Sequence, residues 1–130
     1  MAQKVLLIDD EAGFTQLLKM NLERTGKYEV RTENNSTLAV ASAKAFRPDA
    51  ILLDVVMPVM DGGDVQAKLE VDPDLKDIPV IMLTALVDST ELSEGAVGQA
   101  GTSMVLPKPV NLELLLRVLN DVIEGAEKEA

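Results

Sequence analysis

Five polar residues stand out because each follows a short apolar run. Asp9 and Asp10 follow Val5-Leu6-Leu7-Ile8, Asp54 follows Ile51-Leu52-Leu53, Thr84 follows Val80-Ile81-Met82-Leu83, and Lys108 comes just after Met104-Val105-Leu106. Continuous runs of this length suit strands buried on both faces. If the strands are parallel, all five polar residues belong to one edge of the sheet. Three carboxylates gathered there repel one another and resist desolvation unless a cation binds or one of them takes a proton. The chain has no histidine and no cysteine, which excludes the usual zinc ligand sets. A metal here is therefore a hard cation held by oxygen. Magnesium fits, because it commonly takes one or two carboxylates, several waters and a phosphate oxygen. The pocket suits phosphoryl chemistry.

Each residue also has a plainer explanation. Asp10 serves equally well as a helix cap, and a lone aspartate pair after a strand is more often a cap than a metal site. Asp54 ends a strand at a loop, Thr84 is an ordinary β-branched strand residue, and Lys108 is a solvated loop charge. The joint pattern reverses these odds. Residues of these types at the carboxyl ends of four core strands, in chain order, are hard to attribute to capping alone.

The elements that must position them alternate along the chain. After the first strand, Phe14, Leu17, Leu18 and Leu22 recur at helical spacing until Gly26. Tyr28-Glu29-Val30-Arg31-Thr32 reads as a more exposed strand, and Asn35-Ser36 offers caps for a helix with Leu38, Ala41, Ala45 and Phe46 inward. The Asp54 strand leads through Asp61-Gly62-Gly63 to a third helix with Val65 and Leu69 on its core face. A glycine-spotted segment from Ser89 to Gly101 is expected to hold a weak fourth helix. Asn111 caps a last helix with Leu115, Val118, Leu119, Val122 and Ile123 inward, and the Glu-Lys-Glu tail is expected to fray. Alternating buried strands and helices imply a doubly wound parallel sheet, an α/β fold, whose ligands bind beyond the carboxyl ends of the strands where strand order reverses.

Composition limits the alternatives. The chain has 130 residues, room for one domain spanning 1–130 with its core over about residues 4–123. With 47% hydrophobic and 26% charged residues it reads as globular and soluble. No apolar run approaches the roughly 18 residues of a membrane span, and no signal sequence precedes the first strand, so a cytoplasmic protein with no membrane partner is expected. The net charge of −10 opposes direct nucleic-acid binding.

The motifs Ile8-Asp9-Asp10-Glu11, Leu53-Asp54-Val55-Val56-Met57-Pro58 with Met60-Asp61-Gly62, Leu83-Thr84-Ala85, Ala100-Gly101 and Lys108-Pro109 are jointly specific. With them the chain resembles, from about Lys4 to Ile123, the receiver domains of bacterial response regulators in two-component signalling. The resemblance implies a flavodoxin-like fold with five parallel strands ordered 2-1-3-4-5 and five helices. It makes Asp54 the phosphoacceptor, and gives magnesium to Asp9, Asp10, Asp54 and the backbone carbonyl of Val56, with Asp10 the direct ligand. It further implies that Thr84 hydrogen-bonds the phosphoryl group, that Lys108 pairs with its oxygen, and that the Lys108-Pro109 bond is cis.

In that reading Asp54 attacks phosphorus in line while magnesium and Lys108 neutralise the equatorial oxygens. Lacking histidine, the chain needs a separate phosphohistidine donor, a sensor histidine kinase or a histidine phosphotransfer protein, and passes the signal to a downstream protein that the sequence does not name. It is a signalling domain that promotes its own phosphorylation and dephosphorylation, not an enzyme. One departure is Val105, where the family usually has a Tyr or Phe that turns inward on activation. Met1 and the short polar tail favour a stand-alone receiver. Two other readings stay open: a pseudo-receiver that binds partners without phosphorylation, and a haloacid-dehalogenase-type phosphatase. The latter places its nucleophile on the first strand and a second acid two residues later, where this chain has Val56.

Overall fold

The computed structural model of the chain describes residues 2–84, 98–100, 103–108 and 110–129. Five parallel strands form the body of the sheet: β1 (Gln3–Ile8), β2 (Tyr28–Glu33), β3 (Ala50–Asp54), β4 (Val80–Thr84) and, after a short β5 (Gly98–Ala100), β6 (Ser103–Pro107). Their spatial order is β2-β1-β3-β4-β6, which is the expected 2-1-3-4-5 arrangement. Among the described residues the helices are α1 (Ala12–Arg24), α2 (Ala39–Phe46), α3 (Gly62–Val71) and α4 (Leu112–Glu129), with a single 3-10 turn at Ser36–Leu38 before α2.

The central strand runs of β1, β3 and β4 are apolar because the sheet is covered on both sides there, whereas β2 at the edge alternates buried and exposed residues. Val5 and Leu7 pack with Leu18 and Leu22 of α1 and Leu115 and Leu119 of α4, whereas Leu6 and Ile8 pack with Ala39 and Ala43 of α2 and Val65 and Leu69 of α3. Leu52 and Leu53 of β3 divide between the same two layers. Fully burying each such side chain is worth about 1.5–3 kcal/mol, so the doubly covered runs Val5–Ile8, Ile51–Leu53 and Ile81–Leu83 hold no polar residue before the carboxyl edge of the sheet.

The structure differs from the sequence reading in four places. The segment expected as a fourth helix ends in β5, which pairs antiparallel with β6 from Gly98↔Val105 to Ala100↔Ser103. Glycines weaken a helix by about 1 kcal/mol each, and here the chain turns back as an edge strand instead. The rest of the expected helix lies outside the described residues. On α2 the inward residues are Ala39, Ser42 and Ala43, while Leu38 is exposed. Ser42 enters the core because its hydroxyl donates to the Glu33 carboxylate, a partner that hydrophobic spacing does not reveal. On α1, Thr15 is buried and Leu17 exposed. The final helix runs through the tail to Glu129.

Candidate functional site

The chain order reverses direction across the sheet between β1 and β3, whose carboxyl ends carry Asp9 and Asp54. Both are buried side chains, 0% and 4% exposed, although neither is apolar. Burial of two neighbouring carboxylates is costly unless a cation meets them. That cation is the Lys108 ammonium, 2.7 Å from Asp9 Oδ2, 3.6 Å from Asp54 Oδ2 and 3.3 Å from Glu11 Oε1. The Phe14 ring also lies against it, its centroid 4.5 Å from Lys108 Nζ, a favourable cation–π placement.

Backbone contacts fix each participant. The Lys108 N–H donates to the Thr84 carbonyl at 3.0 Å, tying the lysine to the end of β4. Thr84 is buried there, 2% exposed. Asp54 is held by the close seating of α3 beneath it: the Gly62 N–H donates to the Val55 carbonyl at 2.8 Å, and a Cβ on Gly62 would overlap the Asp54 carbonyl oxygen and lie 2.7 Å from Val55 Cα. Asp61 caps that helix by accepting from the Asp64 N–H at 2.9 Å.

The electrostatics follow from this crowding. Burial, and then the Asp9 charge, push the Asp54 carboxyl above the ordinary aspartate range, against the opposing pull of Lys108. Burial works against the Lys108 ammonium, but its hydrogen bond to Asp9 and the charges of Asp9 and Asp54 outweigh it and raise its pKa. The set is a trio of carboxylates facing one ammonium, net anionic and short of positive charge.

The structure brings together Asp9, Asp54, Thr84 and Lys108. One oxygen each from Asp9, Glu11 and Asp54 lie within 4.8 Å of one another, a donor set of hard oxygens that fits magnesium. Asp10 is exposed and outside this group. Val56 is half exposed and its N–H donates to Asp54 Oδ1 at 3.4 Å. Sequence reasoning passed over Glu11 and Phe14. The sequence marks Glu11 only by its place directly after the aspartate pair, and helical spacing puts Phe14 on the core face of α1. Pro109, with the expected cis bond, lies outside the described residues.

A family model described as the response regulator receiver domain matches residues 5–120. The chain is a response-regulator receiver domain. Among its relatives, this receiver domain is 39% identical over 111 residues to the response regulator PleD of Caulobacter vibrioides, covering 85% of the chain and 24% of PleD. It is 33% identical over 122 residues to the protein PilH of Pseudomonas aeruginosa, covering 94% of the chain and 98% of PilH. The chain thus spans about a quarter of the one relative and nearly all of the other. A solved chemotaxis response regulator of Vibrio cholerae superposes with a TM-score of 0.78 at 34% identity, over 94% of the receiver domain and 99% of that chain. The chain is therefore a phosphoacceptor module of two-component signalling; receiver domains are signalling domains, not classical enzymes, and bind magnesium through an acidic cluster, and Asp9, Glu11 and Asp54 lie close together here. Neither the phosphatase nor the phosphorylation-free reading is favoured.

Proposed function

We propose that Asp54 is the phosphoacceptor and that Thr84 and Lys108 serve the transferred group. The observation that carries this is the convergence of Lys108 on the buried Asp9 and Asp54 carboxylates across the ends of β1, β3 and β6. An Asp54 oxygen attacks phosphorus, the bond from phosphorus to the donor imidazole breaks, and the imidazole nitrogen keeps the electron pair, leaving an acyl phosphate on Asp54. Lys108 then exchanges a carboxylate contact for a phosphoryl oxygen, and the Thr84 hydroxyl donates to another. Asp9, Asp10, Asp54 and the Val56 carbonyl are the proposed magnesium ligands, with the Glu11 carboxylate beside them. Magnesium, when bound, supplies positive charge to the phosphoryl oxygens.

The donor is a sensor histidine kinase or a histidine phosphotransfer protein, since the chain has no histidine of its own. Exposed Leu17 on α1 lines a cavity of about 190 Å³ together with Phe14, Leu18, Asn21 and Val110, apolar surface for a donor beside Lys108. The output is a switched interaction with a downstream protein. Residues 1–130 act as a single receiver unit in the cytoplasm. Among the described residues no helix is long and apolar enough to cross a membrane.

The test is intact mass after incubation with acetyl phosphate and magnesium. The wild type gains one phosphoryl group, and Asp54→Asn gains none because an amide is a poor nucleophile. Equal labelling of the two would refute the assignment.

A further inference from the structure

Asp9 is held at every polar atom. Its N–H donates to the Glu33 carbonyl at 3.1 Å, Oδ1 accepts from the Glu11 N–H at 2.9 Å, and Oδ2 accepts from Lys108 at 2.7 Å. The remaining atom, its carbonyl oxygen, accepts from the Asn34 side-chain amide at 2.8 Å. The same amide nitrogen donates to Thr15 Oγ1 at 3.0 Å. Thr15 is 2% exposed, and it binds back into the first turn of α1, its hydroxyl donating to the Ala12 carbonyl at 3.0 Å and its N–H to the Glu11 carbonyl at 3.1 Å.

This arrangement matters because α1 begins without the usual device. Its N-cap residue, Glu11, makes no side-chain capping bond, so within the turn the side chains secure the backbone of Asp9, Asp10 and Glu11 only through the Glu11 N–H to Asp9 Oδ1 bond, and the Asp9 carbonyl has no partner from the turn itself. Asn34 supplies the missing restraint from the end of β2, using both hydrogens of one amide nitrogen. We propose that Asn34 is the positioning residue of the acidic turn, acting through the Asp9 carbonyl and Thr15 to set the direction of the carboxylates that hold magnesium. This rests on the proposed metal site. An isosteric aspartate does not substitute, because it offers no donor to either oxygen.

The experiment titrates magnesium into the full chain by calorimetry and measures melting temperature in metal-free buffer. Asn34→Leu keeps approximate side-chain volume without a donor, and Asn34→Ala covers the chance that leucine packs badly. Leu75→Ala, a buried change away from the turn, reports what loss of stability alone does to binding. Asn34→Leu and Asn34→Ala weaken magnesium binding by about tenfold, as loss of a supporting contact around metal ligands commonly does, while Leu75→Ala lowers the melting temperature and leaves the Kd unchanged. Magnesium Kd values within twofold of wild type in both Asn34 variants would overturn the assignment and leave the metal site standing. An equal loss of affinity in Leu75→Ala would reduce Asn34 to a structural role. A wild type that binds no magnesium would remove the metal site itself and this inference with it.

Discussion

The Lys108 ammonium lies 2.7 Å from Asp9 Oδ2 although the two residues are 99 positions apart in sequence. The lysine side chain is 13% exposed and the aspartate wholly buried, so this pair differs from a surface salt bridge. Its value is local neutrality in a pocket that otherwise holds uncompensated negative charge, and a cation kept beside the phosphoacceptor.

Removing that cation leaves Asp9 buried and unpaired, a change that typically costs about 3–5 kcal/mol. Lys108→Ala is therefore expected to melt well below wild type in metal-free buffer, to recover more than wild type when magnesium is added, and to be phosphorylated poorly at saturating magnesium. Thermal melts across a magnesium series measure the first two. An identical magnesium-induced shift in variant and wild type would show that the ammonium and the metal do not share the carboxylates.

Magnesium itself is expected to raise the melting temperature of the wild type. At 100 times Kd the gain is about 2.7 kcal/mol, or roughly 10 °C for a domain of this size. Asp10→Asn is expected to lose most of this shift, and Glu11→Gln to keep most of it while loosening Lys108. The reverse ranking would move the direct ligand from Asp10 to Glu11, the acid that the geometry places in the cluster.

Asp54 carries a pH signature. Its carboxyl is raised above the ordinary range by burial and by Asp9, so the folded state prefers the protonated form. The stability this contributes is complete below the unfolded value of about 4 and is lost as pH rises through the raised folded value. Asp54→Asn, which stays neutral, is expected to be more stable than wild type at pH 7 without metal, because it removes the buried charge that Asp9 repels. The difference should shrink as pH falls toward 4. Urea midpoints at several pH values test this, and a difference independent of pH would contradict the assigned cause.

Gly62 and Gly63 are neighbours with opposite tolerance. A Cβ at Gly62 collides with the backbone of Asp54 and Val55, whereas at Gly63 it meets only Asp61 Oδ1 at 3.3 Å. Gly62→Ala is expected to cost about 1–3 kcal/mol by overpacking and to slow phosphorylation by displacing Asp54. Gly63→Ala is expected to change stability by less than about 1 kcal/mol. Denaturant midpoints and phosphorylation rates of the two variants decide, and equal effects would show that α3 does not need its close approach to β3.

The apolar runs determined four of the five parallel strands, because a strand buried on both faces has no room for polar residues until it leaves the sheet, and alternation of Tyr28, Val30 and polar neighbours gave the edge strand β2. The same logic exposed Asp9, Asp54, Thr84 and Lys108, each placed where such a run ends. Helix faces were less legible: Ser42 turns inward because Glu33 satisfies it, and Leu17 turns outward although its spacing fits a core position. Tertiary structure alone decided the contacts that span strands. Ile8 aligns with Glu33 in the β1–β2 register, which brings Asn34 to the Asp9 carbonyl, and the β4–β6 pairing brings Lys108 across to β1 and β3. Burial pattern is written along one chain segment, whereas register and side-chain reach depend on how separate segments settle against one another. A residue such as Asn34 thus gives no sign in the sequence of the two oxygens it joins.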